Sequence, residues 1–299
     1  MDNYTVSSQA MGSHIQAWLS VINADDAQIL SSVPDWFEEW EACFSRFRKE
    51  SELSRLNRRA GHWMKVSQPL LEVISEAVQG AQATNGLFNP LILPALQAVG
   101  YGHSFEPESF IPDQATRSAC IADFRQIELD PAHSLVRLPR DSQIDLGGIA
   151  KGWSAQQTAN RLSKIGPCLV DAGGDMVAVG SPDETGGWFI SVPNPVTSEI
   201  EATVLLKDAA IATSGTDYRH WTRDGQALHH IIDPRTGQPA ASDVLSATVV
   251  APDAVSVEVW AKTALIGEAT SRYPTLLFRH DGSTVYNQEF EALCTSQVR

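Results

Sequence analysis

Positive charge is scarce in this chain: 22 Lys and Arg stand against 36 Asp and Glu, leaving a formal net charge of -14. Nucleic-acid binding needs Lys and Arg to neutralise phosphates, so an extended nucleic-acid surface is excluded as a main function. Cysteine is also sparse. Cys43, Cys120, Cys168 and Cys294 form no CxxC or other paired spacing, which argues against a zinc site and a disulfide framework. No apolar run reaches the roughly 20 residues of a membrane-spanning helix. The opening MDNYTVSSQAMGSHIQAW has neither a basic start nor an apolar stretch before a small-residue cleavage site. A reduced, cytoplasmic protein is the expectation. Pro-rich and Ser-rich tracts of linker length are missing too, so residues 1–299 are expected to form a single domain.

What is present suits a packed globular chain. Of its 299 residues, 43% are hydrophobic and 19% charged, enough to bury a sizeable core. Trp36, Phe37, Trp40, Phe44 and Phe47 recur at helical spacing after Pro34, predicting an amphipathic helix over 34–47. A second helix is predicted from Pro69 to about Thr84, opened by Ser67 and closed by Gly86. Three prolines in 102–117 suggest a surface excursion. Beyond it, Cys168–Ala172, Trp188–Val192, Val204–Leu206 and Leu245–Ala251 read as strands between Gly, Pro and Asp turns, followed by a helix over Ala254–Leu265. The expected class is α+β, with mixed, mostly antiparallel sheets and packed helices; residues 1–140 would be the helix-rich part and 141–299 the strand-rich part.

The segment Asp145 to Gly152, DLGGIAKG, carries the clearest chemistry. It reads as a strand end, a glycine turn at Gly147 and Gly148, and a helix closed by Gly166. Such a helix start offers backbone N–H groups to an anion. Asp145 could accept from a nucleotide hydroxyl or amine, and Lys151 could pair with a phosphate; a plain strand-to-helix connection explains the segment equally well. It matches neither GxGxxG nor GxxxxGK[ST]. DAGGD, Asp171 to Asp175, reads as a hairpin turn, and TSGTDYR, Thr213 to Arg219, as a loop bearing Asp217 and Arg219. In HHIIDPRTG, His229 and His230 alternate on a short strand, so one should face inward. Glu258 and Lys262 stand four apart on the last predicted helix, where an exposed ion pair is the ordinary reading and apolar neighbours suggest partial burial.

Taken in order, MGS at Met11, FRKESELSRLN ending at Asn57, GLFNP at Gly86, DLGGIAKG, DAGGD, TSGTDYR and HHIIDPRTG resemble the FAD:protein FMN transferases, the ApbE flavin transferase family. The resemblance implies FAD as substrate, with magnesium. A threonine or serine hydroxyl of an acceptor protein would attack the pyrophosphate, AMP would leave, and FMN would remain attached through a phosphoester. FAD hydrolysis and non-catalytic flavin binding are the alternatives. The implied architecture holds a flavin cleft between two intimately joined halves. Flavin contacts carry over to Met11, Phe47, Leu87, Phe88, Asn89, Asp145, Lys151 and Ile232, with Asn57 and Asp217 as further cofactor-site candidates. His230 is the candidate to move the hydroxyl proton. Acceptors of the family carry an Asp- and Gly-containing motif around the modified residue and often belong to redox membrane complexes. Many relatives are exported lipoproteins. This sequence lacks the anchoring cysteine near its start, which leaves the cytoplasm or a processed form.

The metal position departs from the family pattern. The family commonly holds magnesium with Asp and Thr four apart on the late helix and a carbonyl of the glycine turn. Here Glu258 and Lys262 stand at the helix positions and Gly148 at the turn. A charged lysine cannot be a ligand. Either Lys262 takes over part of the metal's electrostatic role, acting as a catalytic residue, or a shifted magnesium is held by Glu258, the Gly148 carbonyl and phosphate oxygens.

Overall fold

The computed structural model describes residues 1–105, 110–112 and 120–295. Its helices are α1 (Val33–Phe44), α2 (Glu52–Arg58), α3 (Gln68–Ala83), α4 (Leu93–Ala98), α5 (Ala150–Leu162), α6 (Ala254–Gly267) and α7 (Gln288–Glu291). They pack with sheets whose recorded strand pairs are antiparallel, which is the mixed α+β class expected. The chain divides into two compact units, and neither is continuous in sequence. Met1–Glu38, Lys151–Ser214 and the chain from Asp243 onward make the first; Glu39–Ala150 and Gly215–Ser242 make the second.

An eight-stranded sheet organises the first unit, in the order Asp2–Ala10, Ser13–Val21, Cys168–Ala172, Met176–Val179, Ala209–Gly215, Val244–Ala251, Thr275–Arg279, Thr284–Tyr286. Its first two strands form a hairpin with nine paired positions, in the region the sequence reading left to the helix-rich part. Alternation in SHIQAWLSV, with Ile15, Ala17 and Leu19 buried, is the strand signal there. The four expected strands are present, three with longer ends: Trp188–Pro193, Ile200–Leu206 and Val244–Ala251. A core cluster of Trp188, Ile190, Val204, Leu206, Ile211 and Leu276 packs with this material.

Helix boundaries follow their caps. Ser67 accepts from the Leu70 N–H at the start of α3, and Asp253 accepts from the Ser256 N–H at 2.7 Å at the start of α6. Helix α1 stops at Phe44, three residues short of expectation. The Ser45 hydroxyl accepts from the Phe47 N–H, turning the chain and carrying Arg46 and Phe47 off the helix. Helix α5 is also shorter than read, and no strand precedes its glycine turn. Gly166 follows α5 for a steric reason: a Cβ there would lie 2.2 Å from the Ser20 carbonyl oxygen.

In the second unit, α2 to α4 accompany small antiparallel pairings, including His220–Arg223 with Gln226–His229. Val99, Tyr101, Trp221 and Ile232 are buried together there. The stretch 102–117 lies partly outside the described residues. Its described ends do not simply run over the surface, because Phe105 and Phe110 pack against this cluster.

Candidate functional site

In the first unit, Gly152 of α5 meets Glu258 of α6. The first N–H groups of a helix have no partner within it. At α5, the Gly152 N–H donates to Glu258 Oε1 at 2.6 Å. A Cβ at Gly152 would sit 2.9 Å from that same oxygen and 2.9 Å from the Ala254 carbonyl, so the approach of α5 to α6 requires glycine. The Glu258 side chain is 1% exposed, and Lys262 Nζ donates to Oε2 at 3.0 Å and to the Glu258 carbonyl at 3.3 Å. The pair is partly buried, with Glu258 inside and Lys262 half-buried, as the apolar neighbours suggested, and is not the exposed ion pair of the ordinary reading. Burial acts to raise the Glu258 pKa. The charges of Lys262 and Lys151 and the Gly152 N–H outweigh it and hold the carboxyl below its usual value.

Lys151, the expected phosphate partner, forms a part-buried ion pair with Asp175. Asp175 is the last residue of DAGGD, the turn between Cys168–Ala172 and Met176–Val179, so a hairpin does form there. In the same turn, Asp171 accepts from the Gly174 N–H at 2.7 Å. Burial pushes the Asp171 carboxyl up from its ordinary value, opposed by that N–H and by the charges of Lys151 and His14. Met11 follows the N-terminal hairpin's first strand with a positive φ of 52°, and the Ser154 hydroxyl of α5 donates to its sulfur at 3.8 Å.

The second unit gathers a different set. Arg46 Nε contacts Asp145 Oδ2 at 2.7 Å, with side-chain exposures of 6% and 10%. The guanidinium carbon lies 4.2 Å from the Phe47 ring centre and 4.6 Å from that of Tyr101. Its Nη2 is buried without a hydrogen-bond partner among the described residues. Asp145 also accepts from the Gly147 N–H at 3.0 Å, which shapes the glycine turn. Asn57 sits beside this segment: its amide donates to the Ile144 carbonyl at 2.9 Å and accepts from the Ile144 N–H at 2.8 Å. Those bonds make Asn57 a support for the backbone that presents Asp145.

His230 is half-buried, as is His229, so neither histidine is the fully inward one expected. His230 packs edge-on to Tyr101, and its Nδ1 lies 3.3 Å from the Arg219 carbonyl. A carbonyl only accepts, so Nδ1 donates, and that tautomer places the basic lone pair on Nε2. Ile232 is buried in the adjoining cluster, whereas Asp217 is exposed in the bend after Gly215. Leu87 and Asn89 line an open cavity of about 260 Å³ with Gly86, Phe124, Arg125 and Arg235. Phe88 is buried, and the Asn89 side chain spans the Leu91 N–H and the Ala122 carbonyl.

Sequence reasoning missed Arg46, Tyr101, Gly152 and Asp175 as partners of the expected residues. Gly152 and Asp175 stood inside the quoted segments and Arg46 directly before one; the signals for Arg46 and Gly152 were a cation between aromatics and a glycine inside a helix.

The expected magnesium donors do not fit a cation. Both Glu258 carboxylate oxygens already accept hydrogen bonds, and the Lys262 ammonium has no lone pair to give. Among the described residues, no three His, Cys, Asp or Glu side chains gather as a metal-ligand group.

Comparison with known proteins gives a consistent result. The model of the ApbE family matches residues 11–282. A protein from Treponema pallidum named FAD:protein FMN transferase is 30% identical over 258 residues, covering 79% of this chain and 70% of that protein. One of the same name from Klebsiella pneumoniae is 29% identical over 275 residues, covering 88% and 82%. Among solved structures, the ApbE protein from Thermotoga maritima superposes with a TM-score of 0.88 at 23% identity, covering 99% of this chain and 100% of that one. A mutant of the flavin transferase ApbE from Vibrio cholerae gives 0.79 at 26% identity, covering 98% and 100%.

Proposed function

This chain belongs to the ApbE family, and on that premise we propose that it transfers FMN from FAD to a hydroxyl of an acceptor protein. The observation that carries the reading is the family match over residues 11–282, which includes every expected flavin residue. In this reaction the acceptor oxygen attacks the FMN phosphorus, the P–O–P bond breaks, and AMP leaves with the electron pair of that bond. Little covalent chemistry falls to the protein, so positioning and charge stabilisation supply most of the acceleration.

The side chains divide this work. Lys151, steadied by Asp175, and Lys262, steadied by Glu258, supply positive charge for the pyrophosphate. Phe47, exposed and packed on the buried Tyr101, offers aromatic surface to the flavin, and Asp145, fixed by Arg46 and by the Asn57 support, presents a carboxylate to a polar edge of the dinucleotide. The cavity at Leu87 and Asn89, about 260 Å³, is smaller than the usual pocket for a drug-sized ligand and suits one part of FAD. His230 Nε2 takes the acceptor's proton as the new P–O bond forms. No step is routed through magnesium, because the donor set does not fit it.

Incubation of the purified protein with FAD and an acceptor tests the reading through AMP release accompanied by a gain of one FMN in the acceptor's mass. His230→Ala should slow release by about 10²–10⁴-fold while leaving FAD affinity nearly unchanged. Full activity in that variant would remove His230 from the mechanism.

A further inference from the structure

Four charged side chains of the first unit form a compensated set. Asp175 pairs with Lys151, Glu258 pairs with Lys262, and Lys151 also acts electrostatically on Glu258. A divalent cation drawn to Glu258 would therefore face two ammonium groups already in place. Lys262 itself is asymmetric: its carboxylate partner is 1% exposed, whereas its own side chain is 18% exposed. An ammonium has three donors. Two are spent on Glu258, on the carboxylate and the main-chain carbonyl, and the third remains for an oxygen from outside the helix. Gly152 secures the carboxylate from its other side, so the pair is fixed before any ligand arrives.

We propose that Lys262 is the resident cation of this site, binding the pyrophosphate of FAD in place of a divalent metal, so that FAD binding and cleavage proceed without magnesium. The proposal rests on the reading of the chain as an FAD-dependent transferase. Glu258 then orients the ammonium and does not ligate a metal. The charge is covalently attached, so it is present at any magnesium concentration and survives chelation.

Two measurements on the full chain after chelator treatment test this. The first is FAD binding by quenching of flavin fluorescence, in chelator and in excess magnesium, for the native protein and Lys262→Thr. Native affinity should be the same in both. Lys262→Thr should bind roughly 10- to 100-fold more weakly in chelator, the loss of one charge-assisted contact, and recover when magnesium is added. Native binding that vanishes in chelator and returns with magnesium would overturn the proposal, as would a variant whose affinity is unchanged.

The second is calorimetric titration of magnesium alone into both proteins without FAD. No binding heat from the native protein is expected, and stoichiometric heat from it would overturn the proposal. Failure to bind FAD under any condition would instead sink the functional reading, while the magnesium titration of the native protein still decides the role of Lys262. That titration does not depend on the variant folding.

Discussion

Replacing Gly152 by alanine should destabilise the protein, although the same change inside most helices stabilises. The added methyl would lie 2.9 Å from the Ala254 carbonyl oxygen and 2.9 Å from Glu258 Oε1, one a main-chain atom and the other a buried carboxylate. Neither can swing away cheaply. Forced overpacking costs about 1–3 kcal/mol. Disturbing the 2.6 Å hydrogen bond from Gly152 to Glu258 adds a loss of about 1.5–3 kcal/mol for a charged acceptor. Alanine's better helix propensity returns about 1 kcal/mol. The net loss should be roughly 1.5–5 kcal/mol, read as a fall in the urea midpoint on the order of 1 M with the slope of the transition unchanged. An equal or higher midpoint would refute the close approach of α5 to α6, and with it the preformed Glu258 and Lys262 pair.

Substitutions at two further positions probe the two units separately. Asp171→Asn should raise the urea midpoint at neutral pH. The folded carboxyl has its pKa raised above the ordinary 3.8, so ionisation costs stability above the folded pKa, and the advantage of asparagine should shrink as pH falls through that value; an advantage independent of pH would contradict this. Arg46→Ala leaves Asp145 buried without its cation and should cost about 3–5 kcal/mol in denaturant unfolding. Arg46→Lys should recover part of that stability but not FAD affinity, because lysine lacks the planar group held against Phe47 and Tyr101; equal FAD affinity in the two proteins would show that the rings do not need it.

Elements with local signals were legible from the residues alone. Helix α6 announces itself through Asp253 at its cap, and α3 through Ser67 before it and Gly86 after it. The strand Cys168–Ala172 shows as an apolar run between turns. The discontinuous units were not legible, because the N-terminal hairpin joins Cys168–Ala172 through a pairing of Ile15 with Ala172 that no nearby residue encodes. The site divides in the same way. Phosphate-binding chemistry could be suspected from DLGGIAKG, and the order of the segments narrowed it to a flavin. What DLGGIAKG could not show is that its lysine is held by Asp175, its aspartate by Arg46 and its last glycine by Glu258. These are tertiary partners 24, 99 and 106 positions away in the chain.

The central claim is group transfer from FAD, and intact-protein mass measurement tests it most directly. The purified protein, FAD and an acceptor protein carrying a threonine flanked by Asp and Gly should yield AMP and an acceptor heavier by one FMN phosphoryl adduct. The adduct should be lost when that threonine is changed to alanine. AMP release together with an acceptor of unchanged mass would contradict transfer and leave FAD hydrolysis as the activity.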